Sequence, residues 1–167
     1  MKRILMIAVA MLPLMLMAQA RIGIVNSQNI FELMPEKAAV EAQLKAMSEK
    51  YHAEYELLRG EFDKKYADYQ TVAADASMPE TIKERRVQEL QESDKKMREF
   101  ERKAADDLAA RRTALTQPIT DKIQAAIRAA GEQGGFDLVF DTAVTPVAYT
   151  GPNTVDITPM VKSILGL

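Results

Sequence analysis

The sequence predicts an α+β chain: a small β-rich body built from both chain ends, with a long antiparallel α-helical hairpin between them. Three observations carry this. β-branched and aromatic strand chemistry is confined to "RIGIVN" at 21–26 and to "FDLVFD" and its sequel after residue 135. The long middle is rich in Ala, Glu, Lys and Gln, with apolar side chains at helical spacing. One break, "AADASMPE", divides that middle in two.

The first residues read as a leader and not as fold. Lys2 and Arg3 precede an almost wholly apolar run from Ile4 to Met17, which ends in the small residues "AQA". This is the pattern of a secretory signal peptide spanning residues 1–20, with cleavage expected between Ala20 and Arg21. The apolar run, about 14 residues, is short for a membrane span, which needs ~20. A lipid-anchored leader would need a cysteine, and the chain has none. Cysteine-free composition also excludes a disulfide framework and a thiol nucleophile. Without Lys2 and Arg3 there are 20 basic against 24 acidic side chains, a net charge of −4. Such a balance does not favour nucleic acid or an anionic membrane as partner.

Taken in order, "RIGIVN" predicts a short strand, and Asn26 or Ser27 can cap a short helix through "QNIFELM" that Pro35 ends. From Glu36 to about Ala74 the apolar positions fall in trios: Leu44, Met47, Tyr51; Tyr55, Leu58, Phe62; Tyr66, Tyr69, Ala73. Each trio repeats the last eleven residues on. That is 3.67 residues per turn, so the stripe runs nearly straight. A helix of this extent is about 58 Å long, too long for the interior of a compact domain of this size. The turn falls near 74–79, where Ser77 and Glu80 match a capping box with Pro79 in the first turn. A second helix then runs from about Met78 towards Ala130, with Ile82, Val87, Leu90, Met97, Phe100, Ala104, Leu108 and Leu115 as a sparser stripe. Pro118 predicts a kink, and Gly131 or Gly134 an end.

Beyond it, "FDLVFD" alternates Phe136, Leu138 and Phe140 against Asp137, Val139 and Asp141. A further short strand is expected around Val147 to Tyr149, and a last helix with Thr158 as N-cap and Pro159 in its first position. The domain boundaries are therefore 21–35 and 131–167 for the body and 36–130 for the hairpin. Three short strands with open edges make a marginal sheet, so the body is expected to associate with copies of itself.

Residues for catalysis are scarce. His52 is the only histidine and sits among Glu and Lys one place off the stripe, so no Ser-His-Asp arrangement is expected. One His, no Cys and no acidic loop motif give no metal site, and the glycines of "GEQGGF" lack the strand-before-helix order of a phosphate loop. No enzyme activity and no cofactor are expected. Residues 32–84 hold 7 basic and 12 acidic side chains and residues 85–112 hold 9 and 7, which suits pairing of the two helices.

Together, "RIGIVNSQNIFELMPE" after the leader, "GGFDLVFD" after the helices and "VDITPMVKSILGL" at the end resemble the Skp (OmpH-like) periplasmic chaperones of Gram-negative bacteria. The resemblance covers essentially all of the chain after the leader. It implies a homotrimer whose central β-sheet or barrel body is built from both chain ends, with helical hairpins that hang from it like tentacles around a cavity. Unfolded outer-membrane β-barrel proteins are held there without ATP, in transit to the insertion machinery. Carried onto this sequence, Ile22, Ile24, Val25, Phe136, Leu138 and Phe140 fall in the oligomer body. Tyr51, Tyr55, Leu58, Phe62, Tyr66, Tyr69, Met97 and Phe100 form the candidate hairpin seam and client-facing surface. One departure matters: well-known members are strongly basic, so the net charge of −4 gives no ground to carry over a lipopolysaccharide site. The competing reading is a structural coiled-coil spacer or adaptor of the cell envelope, without clients.

Overall fold

The computed structural model describes residues 20–167, so the expected leader, apart from Ala20, lies outside the described residues. The chain forms two compact units. One combines the described residues up to Met34 with Pro118–Leu167, and the other is Pro35–Gln117. Residues 118–134 thus share a unit with the strands, whereas the sequence boundary placed the hairpin's end at 130.

The first unit holds a three-stranded sheet of β1 (Ile22–Val25), β2 (Leu138–Asp141) and β3 (Thr154–Asp156), in the order β2-β1-β3. β1 is central and parallel to both neighbours, with Ile22 opposite Leu138 and Thr154. Parallel neighbours require crossovers; the whole helical middle serves as one, and residues 142–153 as the other. The strand expected at Val147 to Tyr149 is not formed; those residues are irregular, and the third strand is Thr154–Asp156. The reason is a turn at Gly151, whose carbonyl accepts from Thr154 N at 3.0 Å. Only beyond that turn does the chain reach the free edge of β1, where Ile157 N donates to the Ile24 carbonyl at 2.9 Å.

One face of the sheet is covered by helices. α1 (Ser27–Leu33) starts where the Asn26 side chain accepts from Asn29 N at 2.9 Å, an N-cap. Ile30, Ile119, Ile123, Ala126, Ala130 and Val161 are buried with Val25 and Ile157. The 4-3-4 spacing from 119 to 130 is one stripe on the last turns of α3 (Glu80–Gly134). Burying each Ile or Val here contributes about 1.5–3 kcal/mol. α4 (Thr158–Leu165) corrects the expected cap: Ile157 occupies the cap position and Thr158 lies inside the helix. Thr158 N donates to Asp156 Oδ1 at 2.9 Å, and its Oγ1 accepts from Asn26 N at 3.3 Å.

α3 ends in a Schellman turn. Gly135 takes φ +61°, its N donates to the Glu132 carbonyl, and Phe136 N reaches back to the Gly131 carbonyl at 3.0 Å. A Cβ on Gly134 would lie 2.3 Å from the Phe136 ring, so glycine there lets the ring fold back onto the helix end.

The second unit pairs α2 (Glu36–Ala74) with the first part of α3. The expected capping box is not formed. Ser77 donates through both its amide (2.8 Å) and hydroxyl (2.6 Å) to Asp75 Oδ1, and α3 begins at Glu80 on the Pro79 carbonyl, which accepts from Ile82 N at 3.0 Å. Asp75 wins because it already ends α2 and lies within reach of both Ser77 donors. α3 runs unbroken through Pro118, the residue at which the two units meet in sequence.

Candidate functional site: the hairpin seam and the open sheet face

The seam between α2 and α3 is fixed by contacts whose numbers rise along one helix as they fall along the other, the mark of an antiparallel pair. The Tyr51 hydroxyl donates to the Asp107 carboxylate, and its ring meets Phe100 edge-to-face at 6.0 Å between centroids. Glu61 lies 3.9 Å from Lys96, and Lys65 Nζ donates to Ser93 Oγ at 2.8 Å. The hydrogen bond to Asp107 holds the Tyr51 hydroxyl above its ordinary range. Tyr55 is raised chiefly by desolvation, with the Glu101 carboxylate adding to it.

Most of the predicted seam residues line this contact. Leu58 is buried, and Tyr51, Tyr55, Phe62, Tyr69, Met97 and Phe100 are half-buried. Tyr66 departs: it is 46% exposed and stacks on Phe62 of its own helix, with centroids 6.3 Å apart. The eleven-residue pattern holds through Phe62, and then Lys65 takes the covered position opposite Ser93, which is 7% exposed. Sequence reasoning missed this polar pair. The available signal was spacing: 65 follows 62, and 93 precedes 97, by the same 3-4 steps as the apolar stripe. Ile82 and Val87, expected in the stripe, are exposed.

The seam is not closed along its length. Clefts of about 520 Å³ beside Leu44 and Leu108, and about 770 Å³ beside Tyr69, Ala73 and Val87, open between the helices. Leu57, next in sequence to buried Leu58, is 65% exposed. This surface offers apolar groups without enclosing a ligand.

In the strand unit the six predicted body residues divide by face. Val25 is buried on the helix-covered face, and Phe136 lies on that side too, 3.4 Å from where a Gly23 Cβ would sit. Ile22, Ile24, Leu138 and Phe140 lie on the other face. Leu138 is 49% exposed there, and a cleft of about 400 Å³ runs over Ile22, Ile24 and Phe140 beneath Pro146, Val147 and the 81%-exposed Tyr149. Among the described residues, both outer strands also present a free edge.

His52 is exposed on α2, 3.9 Å from Glu56. Among the described residues no group of three or more His, Cys, Asp or Glu could hold a metal ion. No helix of the described residues is long and apolar enough to cross a membrane. Ala20 and Arg21, flanking the expected cleavage, are both exposed at the start of β1.

A family model described as outer membrane protein (OmpH-like) matches residues 21–165. No curated protein matches the chain.

Proposed function

Because this chain belongs to the OmpH-like family of outer-membrane-protein chaperones, we propose that it is an ATP-independent periplasmic holdase for unfolded outer-membrane β-barrel proteins. It is exported on its leader, loses it between Ala20 and Arg21, and assembles through its strand body into a homotrimer. The hairpins of the assembled copies enclose the client and release it towards the insertion machinery. The work is binding, without catalysis or cofactor.

The observation that carries this reading is the half-covered seam. Tyr55, Phe62, Met97 and Phe100 keep part of their surface open, and Leu57 and Tyr66 are exposed. Each such group offers a weak contact, and many together hold a chain whose apolar strands would otherwise aggregate in water. Because each contact is weak, the client leaves when its folded barrel in the membrane offers a deeper minimum. The open sheet face at Ile22, Ile24, Leu138 and Phe140 supports self-association, since an exposed apolar patch beside free edges is a surface that copies can cover. Client capture here relies on apolar contact and not on overall charge, since the chain is net acidic.

The test is dilution of a urea-unfolded outer-membrane β-barrel protein into buffer with a molar excess of the chain starting at Arg21. Suppressed light scattering is expected. Scattering equal to that of the client alone overturns the holdase reading and favours the envelope spacer.

A further inference from the structure

Arg21 is held by four contacts to the short segment that leads from α3 into β2. Its backbone N donates to Asp137 Oδ2 at 2.7 Å, and its carbonyl accepts from Asp137 N at 3.0 Å. Its guanidinium Nη1 donates to the Gly134 carbonyl at 2.6 Å, and Cζ lies 4.6 Å from the centre of the Phe136 ring. A cation at the last carbonyls of a long helix also meets the negative end of the helix dipole.

We infer that Asp137 is the receptor for the α-ammonium group created when the leader is removed. The inference rests on the proposed cleavage between Ala20 and Arg21. Hydrolysis of that bond by water leaves a carboxylate on the departing leader and an amine on Arg21, which takes up a proton at neutral pH. The amide donor facing Asp137 thereby becomes a full positive charge at the same place, and a neutral hydrogen bond becomes a charge-assisted one. The two cations of Arg21 do not compete, because the guanidinium is turned to the Gly134 carbonyl and the ring, and the ammonium to Asp137.

The consequence is a maturation lock. Asp137 directly precedes β2, and Arg21 directly precedes β1, the central strand. An ion pair between them clamps the starts of both strands, so the sheet of the processed protein is tighter than that of its precursor. The pair is exposed, so its effect is modest and sensitive to salt.

Four forms of the chain starting at residue 21 test this: free or acetylated N-terminus, each with Asp137 or with Asp137→Asn. Acetylation keeps the N–H and removes the charge. At low salt, acetylation is expected to lower the melting temperature by about 2 °C, the size of a weak ion pair in a domain of this length. The difference should vanish with Asp137→Asn and shrink in molar salt. An equal drop in both backgrounds, or none in either, overturns the ion pair. N-terminal sequencing of the exported protein separates the premise: a first residue other than Arg21 overturns the cleavage reading, whereas Arg21 without coupling overturns the lock alone. Neither result bears on the light-scattering assay.

Discussion

Leu57 and Leu58 are adjacent in sequence, yet one is 65% exposed and the other 6%. The 100° step of an α-helix separates them into different roles, so losing each side chain has a different effect. Leu58→Ala is expected to cost about 2–3 kcal/mol of stability, since a cleft lined by Leu58, Lys96 and Phe100 lets the site relax. Leu57→Ala is expected to change stability by less than about 0.5 kcal/mol, yet to weaken client retention. Urea melts and a binding titration on both variants check this, and a shared phenotype would contradict the division. Acid provides a second residue-level test. Hydrogen bonds from the Ser77 hydroxyl and amide hold Asp75 below the usual carboxylate range, and Arg86, with Arg85, does the same for Glu89. A carboxylate with a lowered folded pKa stabilises fully above the ordinary carboxylate range, and that stability is lost as pH falls through the folded value. The urea midpoint is therefore expected to hold at neutral pH and fall below about pH 4, and to fall less in Glu89→Gln.

At the scale of elements, the helices were legible because their signals are local. Pro35 and the glycines after Ala130 bound the pattern, and the Ala/Glu/Lys/Gln composition fills it. The sheet was legible only as segments. Val147 and Tyr149 have better strand chemistry than Thr154–Asp156, but the turn at Gly151 delivers the later trio to β1. Position beside a partner outweighed propensity there. Parallel pairing with β1 in the centre was equally hidden, because it depends on where a crossover longer than the strands themselves returns the chain. In the seam, Lys65 and Ser93 escaped a pattern built on apolar residues, since the Lys stem packs while its head meets one hydroxyl. The pair predicts a double-mutant signature. Ser93→Ala should cost about 1 kcal/mol by leaving the ammonium without that acceptor, and adding Lys65→Met should recover most of it. Strict additivity in denaturation midpoints would show that the contact does not couple the helices.

At the scale of the whole molecule, the small strand unit leaves Ile22, Ile24, Leu138 and Phe140 on an open face, and the chain has no cysteine with which to staple it. Self-association is the route proposed here to cover that face. Phe140→Asp is accordingly expected to lower the molar mass measured by light scattering from that of a trimer to that of a monomer. An unchanged mass would place the interface elsewhere. In the proposed holdase, the hairpin is the surface that holds an unfolded client. The most direct measurement of this is photo-cross-linking, with a photoreactive side chain placed singly at Leu57, at Tyr66 and, in the strand unit, at Val144, in the presence of an unfolded outer-membrane protein. Client adducts are expected from Leu57 and Tyr66, with few or none from Val144; adducts confined to Val144, or from none of the three, would overturn the hairpin as the client surface.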